Sequence, residues 1–233
     1  MKRLKLIALA ALLPAVLAGC ALHLPPLEDN TEIALRGGAV VVPAPEGFCI
    51  DNEASNARAG FAMLAPCIAV TGTGEVPNNA AIVTVQVGAA GSATVSGAED
   101  AFVTLLESDA GAGLLGDSAA GRTVTVLSTA STENDVRVAF EETPASIDGT
   151  TGTVRRALFD IGENFVTVTA HSIQFRPLSA RAGRGLLIDL VGFIKEANRG
   201  EVAEVVQKEQ KLFPSWQQFG SYVQSNLSPS DGG

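Results

Sequence analysis

Apolar and polar residues alternate with a period of two in several segments of this chain, as in β-strands that bury one face. In the segment 81–87, Val83, Val85 and Val87 lie on one side and Thr84 and Gln86 on the other. The same alternation recurs in the segments 122–128, 136–141, 153–161 and 165–175. Because short turns join these segments, the pattern predicts an antiparallel meander.

Two segments instead have the 3.6-residue period of amphipathic helices. The first is predicted to begin at a capping box formed by Ser96 and Glu99 and to end at Gly111 and Gly113. The second has a wide apolar stripe, made of Leu186, Leu187, Leu190, Val191, Phe193, Ile194 and Ala197. This order of strands and helices predicts an α+β fold, with helices packed on an antiparallel β-sheet.

The first twenty residues differ from the rest of the chain. A positive segment with Lys2, Arg3 and Lys5 precedes an apolar run, which ends in Leu17-Ala18-Gly19-Cys20. This order resembles the signal peptides of bacterial lipoproteins, with a lipobox at residues 17–20. The resemblance implies cleavage before Cys20 and acylation of Cys20, which makes the lipid bilayer a partner.

Two other interpretations of the first segment remain open. One is an ordinary secretory signal in which Cys20 occurs by chance. The other is an uncleaved transmembrane helix, although Pro14 interrupts the apolar run and a spanning helix needs about 20 apolar residues. Ala21, not Asp, follows Cys20. In enteric bacteria, an Asp directly after the acylated Cys retains a lipoprotein in the inner membrane. Since this Asp is absent, we expect a protein of the outer membrane that faces the periplasm.

The segments together predict five regions along the chain. These are a signal peptide at 1–19, a lipidated tether at 20–38, an α+β domain at 39–200, an amphipathic helical extension at 201–227 and a disordered tail at 228–233. The extension contains the only Trp and the only Tyr of the chain. Trp216, Phe219 and Tyr222 have helical spacing there, and they either pack on the domain itself or bind another envelope protein.

The net charge and the cysteine content limit the partners and sites that the protein can have. The net charge of −9 disfavours nucleic acid as a partner, because an acidic surface repels phosphate groups. Cys49 and Cys67 are expected to form a disulfide in an oxidising periplasm, the alternative being two buried free thiols. No metal site is expected from them, since two cysteines without a histidine cannot complete a tetrahedral site.

The segment from Val42 to Asn198 resembles the PsbP-like superfamily. The similarity rests on the turn Pro45-Glu46-Gly47-Phe48, a helix after Ser96, a run of antiparallel strands through Val168 and a closing helix. The resemblance implies an α/β sandwich and a role as an accessory or assembly factor. It transfers no functional residue, and the cysteine pair and the C-terminal extension are not part of its pattern.

Candidate catalytic residues are few. His23 lies in the predicted tether, and His171 is expected as a partly exposed residue of a strand. Ser118, in Gly116-Asp117-Ser118, resembles the nucleophile block of some esterases, but the spacing of a nucleophile elbow is missed. The carboxylates that could pair as acid and base are those of Glu141, Glu142, Asp160 and Glu163.

The segment Arg181-Ala182-Gly183-Arg184-Gly185 precedes the last apolar stripe. Its two arginines and the backbone N–H groups of a helix start could hold an anion. The glycine spacing matches no phosphate-binding motif, and we expect a solvated, flexible start of the helix.

The sequence thus predicts a non-enzymatic envelope lipoprotein without a cofactor, which binds or helps to assemble another envelope component. An alternative is a carrier of a small ligand or lipid, with a pocket between sheet and helices. A hydrolase that uses Ser118 and His171 is a third hypothesis.

Overall fold

A computed structural model describes residues 30–116 and 121–200 of the chain. The strands are β1 Glu32–Leu35, β2 Val40–Pro43, β3 Phe48–Ile50, β4 Phe61–Pro66, β5 Ala81–Val87, β6 Thr123–Thr132, β7 Asp135–Thr143, β8 Thr150–Ile161 and β9 Asn164–Ile173. The helices are α1 Cys67–Thr71, α2 Glu99–Leu106, α3 Asp109–Leu115 and α4 Ala180–Ala197, with a 3-10 turn at Arg36–Gly38. The predicted α+β class is confirmed.

Strands β3 to β9 form one antiparallel sheet with the order β3-β4-β5-β9-β8-β7-β6. The predicted meander is its outer half, where β6, β7, β8 and β9 are consecutive neighbours. Strand β9 then pairs with β5, so that Val168 lies opposite Val85. The inward valines predicted for β5 are buried, because they share the face on which α4 packs.

Helices cover the two faces of the sheet at different places. On one face, called here the α4 face, Phe159 of β8 and Val168 of β9 pack with Leu190 of α4. On the opposite face, called here the α2/α3 face, Phe140 and Val154 pack with the two short helices. Strand β8 therefore contributes to two cores, since successive side chains point to opposite faces.

The predicted tether at 20–38 is wrong for its last residues, because Glu32–Leu35 form strand β1. This strand pairs with β2, with Ile33 opposite Val42, and the hairpin buries Leu35 completely. The side chain of Asn198, at the end of α4, bonds to both the N–H and the C=O of Val41 at 2.8 Å. Strand β1, which has no regular alternation, is thus stabilised by pairing with β2. Strand β2 is stabilised in turn by Asn198 at the end of α4.

The capping box predicted at Ser96 and Glu99 is wrong. Helix α2 begins at Glu99 without a side-chain cap. The Glu99 carboxylate instead accepts a hydrogen bond from the backbone N–H of Asn134 at 2.6 Å, which lowers the pKa of Glu99. A partner in the distant turn between β6 and β7 has therefore replaced the local one.

The predicted end of that helix is also wrong. Helix α2 ends at Leu106, and α3 follows it directly, with the side chain of Ser108 accepting from the N–H of Gly111 at 3.2 Å. Gly111 lies inside α3, where a Cβ would be 2.0 Å from the carbonyl oxygen of Leu105. This glycine permits the close contact of two helices.

Helix α4 begins earlier than the apolar stripe suggested. Ser179 caps it by accepting from the N–H of Ala182 at 3.1 Å, so the segment 181–185 is helical and not a flexible start. The stripe is buried as predicted except for Phe193, which is 47% exposed, and Ala197, which is exposed at the last residue of the helix. Phe193 lies at the edge of the buried arc, where the sheet no longer covers the helix.

The predicted disulfide is present. Cys49 of β3 and Cys67 at the start of α1 are joined, with their Cα atoms 4.7 Å apart. Closing a loop of this length contributes about 3 kcal/mol in the chain-entropy model. Within the described ranges, none of the helices has the length and apolarity that crossing a membrane requires.

Candidate functional site

A cleft lies on the α4 face, beside the first half of α4. The helix packs on β8 and β9 and on the hairpin strand β2, which leaves the outer strands β7 and β6 uncovered. The cleft has a volume of about 430 Å³. Its walls are formed by Leu127, Ser128, Thr129, Ala130, Arg137, Val138, Ala139, Arg155, Ala180, Arg184 and Leu187.

The strand register explains why there is space at this point. Arg155 of β8 lies opposite Ala139 of β7, and Ala139 lies opposite Ser128 of β6. Ala130 lies opposite Arg137 in the next row on the same face. Ala139, Ser128 and Ala130 therefore form the floor of the cleft next to Arg155. Because these side chains are small, they leave open the space that larger ones would fill.

Arg155 is the unusual residue of the cleft. It is only 8% exposed, and its guanidinium has neither a hydrogen bond nor an ion pair with any residue in 30–116 or 121–200. Burial lowers the pKa of Arg155, and the positive charge of Arg184 lowers it further. Buried arginines are normally paired, whereas the part of the chain that the structure describes provides no counter-charge for this one.

Glycine in α4 gives the Arg155 side chain its room. A Cβ placed on Gly183 would lie 2.8 Å from Nη1 of Arg155 and 3.0 Å from its Cζ. Any other residue at this position would force the guanidinium to move. The helix therefore permits the arginine to lie directly against its backbone.

The other two arginines of the cleft differ from each other. Arg137 is neutralised, since its Nε and Nη2 lie 2.9 and 2.8 Å from Oδ2 of Asp135. Arg184 is exposed at the rim. None of the lining residues is acidic. The cleft thus contains two uncompensated positive charges in a chain of net charge −9.

A second polar cluster lies on the α2/α3 face, around His171. The prediction of a partly exposed histidine is wrong, since His171 is only 6% exposed and Glu142 only 5%. The connection between β7 and β8 lies against this part of the sheet and removes it from solvent. Burial lowers the pKa of His171 to about 4; the charge of Glu142 opposes this shift and that of Arg156 adds to it.

The geometry of this cluster does not resemble an activated nucleophile. Ser146 donates both its N–H, at 2.8 Å, and its hydroxyl to Oε1 of Glu142. Nδ1 of His171 lies 4.0 Å from the same carboxylate oxygen and has no hydrogen-bond partner. In a serine–histidine pair the histidine accepts from the serine hydroxyl, whereas here that hydroxyl is bonded to the carboxylate, which lies between Ser146 and His171.

The remaining predicted carboxylates have structural partners. The carboxylate of Asp160 accepts backbone hydrogen bonds from Thr94, Val95 and Ser96 at 2.8 to 3.1 Å and fixes the loop before α2. Glu141 and Glu142 are strand neighbours, which point to opposite faces. The structure does not bring these groups together with Glu163 as an acid–base pair within the part of the chain it describes.

Several predicted site residues lie outside the described residues. These are Cys20, Ser118, Trp216, Phe219 and Tyr222. The lipidation site and the aromatic binding segment stay predictions. In the described ranges, no three His, Cys, Asp or Glu residues are placed to hold a metal ion.

The sequence analysis missed Arg155, although a signal was present. The alternation in β8 placed Ala157, Phe159 and Ile161 on the inward face, and the same period puts Arg155 on that face. A charged residue at an inward position of an apolar series indicates a partner or a ligand. That the arginine has no partner could be learned only from the tertiary structure.

Comparison with known proteins gives similarities of fold only. No family model and no curated protein matches the chain. Solved structures to which it is similar include the Saccharomyces cerevisiae Ran-binding protein Mog1p, at 13% identity and a TM-score of 0.45. A mutant of protein Mog1 has 14% identity and a TM-score of 0.44. Each alignment covers 72% of this chain and 93% of the other.

The cyanobacterial PsbP of Synechocystis, CyanoP, is also similar to this chain. The identity is 10% and the TM-score 0.41, over 66% of this chain and 84% of that one.

Proposed function

We propose that this protein is a non-enzymatic binding protein of the cell envelope, anchored by acyl chains on Cys20, which holds a ligand in the cleft beside α4. This proposal takes the carrier hypothesis of the sequence analysis as the leading one. The observation that carries it is the cleft itself, with its volume of about 430 Å³ and its unpaired arginine. Ligand sites in proteins have volumes of about 300–1,000 Å³ and few polar groups among apolar walls.

The chemistry of the two polar clusters favours binding over catalysis. The cleft contains arginines and small or aliphatic residues, and the hydroxyl of Thr129 is already bonded to Glu107. The buried histidine on the other face has a pKa of about 4 and does not line the cleft. Among the described residues, neither arrangement places a histidine on the hydroxyl of a serine.

A second candidate function is docking on another envelope protein through Trp216, Phe219 and Tyr222. The observation in its favour is the helical spacing of the only Trp and the only Tyr of the chain. Aromatic residues of this kind are frequent anchors of protein interfaces. A pulldown from detergent-solubilised membranes, with and without residues 216–223, tests it: partners lost on deletion support it, and unchanged partners contradict it.

The anchor is tested by the intact mass of the protein extracted from its native membrane. A chain that starts at Cys20 and carries acyl mass, both lost in Cys20→Ser, is the expected result. An unmodified chain would contradict the envelope location proposed here.

Ligand binding is tested by native mass spectrometry of the full protein purified in mild detergent. We expect a bound small molecule that Ala139→Phe removes, because the larger side chain fills the floor of the cleft. Ala101→Phe is the matched control, since Ala101 is exposed on α2 and outside the cleft. A protein that carries no ligand, or a ligand equally lost in both variants, would overturn the proposal.

A further inference from the structure

We propose that the cleft binds an amphiphile whose anionic group, a carboxylate or a phosphate, pairs with Arg155 and Arg184 while its apolar chain lies along the small and aliphatic walls. This inference rests on the proposed function and adds the chemical class of the ligand. Its observations are the unpaired buried arginine, the second cation near it and the absence of acidic residues from the cleft lining.

Arg155 supplies the reason for an anion. A guanidinium that is buried without a partner loses the hydration of its charge and gains nothing in return. The like charge of Arg184 adds repulsion, and both effects lower the pKa of Arg155. An anion between the two groups would reverse both effects, and a guanidinium matches the two oxygens of a carboxylate or phosphate.

The rest of the lining supplies the reason for an apolar chain. Leu187 of α4 is a buried wall, and Ala139 is part of the floor. Leu127 lies at the register shift of the edge strand β6 and is 55% exposed. The inner arginine and the outer leucine thus give the cleft a charged part and an apolar part.

Gly183 of α4 determines where the guanidinium of Arg155 can lie. Because a Cβ at position 183 would meet the Arg155 guanidinium, the glycine keeps the cation in place at the base of the helix. Gly183→Ala preserves both arginines, and alanine favours a helix more than glycine does. It therefore moves the charge without threatening the fold.

The test uses isothermal titration calorimetry on the purified protein with three probes of one chain length, below their micelle concentrations. Decanoate carries a carboxylate, decyl phosphate carries a phosphate, and decanol is neutral. We expect decanol to bind at least about tenfold more weakly than the better anion, because a charge-assisted hydrogen bond is worth about 1.5–3 kcal/mol. Which anion binds more tightly distinguishes a fatty-acid ligand from a phosphate-bearing lipid.

Three variants locate the binding. Arg155→Met is expected to weaken the better anion at least tenfold and to leave decanol unchanged. Gly183→Ala is expected to weaken the anion severalfold with both charges kept. Arg181→Met is the matched control, because Arg181 lies on the same helix, is exposed and does not line the cleft. Its affinity should stay within about twofold of the unchanged protein.

The outcomes separate this inference from the proposed function. Equal binding of decanol and the anions, or anion binding unaffected by Arg155→Met, would overturn the anionic class. If native mass spectrometry still finds a ligand that Ala139→Phe removes, the proposed function stands with a neutral ligand. Binding of none of the three probes also overturns the inference, and absence of any native ligand overturns both.

Discussion

Arg155 and Arg156 are consecutive residues of β8 with opposite surroundings. Arg156 points to the α2/α3 face, where its Nε donates to Oγ1 of Thr169 at 3.0 Å and its guanidinium lies 5.4 Å from the ring centre of Phe140. Arg155 points to the α4 face and has no such partner among the described residues. The strand alternation places Arg156 beside Thr169 and the charge of Glu142, and it places Arg155 at an open cleft.

The difference teaches how to separate a structural charge from one available to a ligand. Residue type and position in the sequence are nearly the same for both arginines, so neither indicates function. What differs is whether the surrounding residues compensate the charge. The cluster around Arg156 includes Glu142 and His171, whereas the cleft around Arg155 includes a second cation and no acid.

The largest effect on the unfolding free energy is expected from pH, through His171 in the buried cluster beside Arg156. His171 has a pKa of about 4 in the folded state against 6.5 unperturbed, so the unfolded chain binds its proton at higher pH. The free energy of unfolding is therefore highest above pH 6.5. It decreases as the pH falls from 6.5 toward 4, because only the unfolded chain protonates His171 in this range. The total loss is up to about 3 kcal/mol.

His171→Gln removes this titration and should flatten the dependence of the unfolding free energy on pH between 6.5 and 4. Denaturant unfolding at several pH values measures it. The carboxylates titrate in both proteins, so the difference between the two curves reports His171. Parallel curves would show that the histidine is accessible to protons in the folded state.

The next effect is expected from Arg156→Met. The change removes the hydrogen bond to Thr169 and the contact with Phe140 but keeps the aliphatic stem, and we expect a loss of about 2 kcal/mol in unfolding free energy. The pKa of His171, followed by NMR, should rise because Arg156 lowers it. An unfolding free energy unchanged by Arg156→Met would contradict the view that Arg156 stabilises the fold and Arg155 does not.

The smallest effect is expected from Arg155→Met, the matched substitution on the neighbouring residue. Without ligand, the unfolding free energy should stay the same or rise by up to about 1 kcal/mol, because the change removes a desolvated charge that has no partner. Denaturant unfolding in the same buffer measures both variants. A loss above about 2 kcal/mol would mean that Arg155 stabilises the fold and is not reserved for a ligand.

The sequence predicted the parts of the fold that rest on regular patterns. The valines of β5, the inward face of β8 and most of the stripe of α4 are buried as expected. The Cys49–Cys67 disulfide was also predicted, because these are the only two cysteines after Cys20 in the sequence. Burial of this kind is decided by a period of two or 3.6 residues, which local chain geometry imposes.

Predictions that depended on one local signal failed where a distant residue competed for it. The carboxylate of Glu99 bonds to Asn134 instead of capping its own helix, and Gly111 permits contact between two helices instead of ending one. Strand β1 was missed because its partner is β2, and β2 is bonded in turn to Asn198 at the end of α4. In each case the deciding partner lies far away in the sequence.

The sequence by itself determined the fold class, the disulfide and the face on which each strand residue lies, since these follow from periodicity and composition. Only the tertiary structure decided which charges are compensated. That His171 is buried beside Glu142, and that Arg155 lies unpaired against Gly183, depends on how β7, β8 and α4 pack together. Compensation of a charge is a property of three-dimensional neighbours, which the order of residues along one strand does not specify.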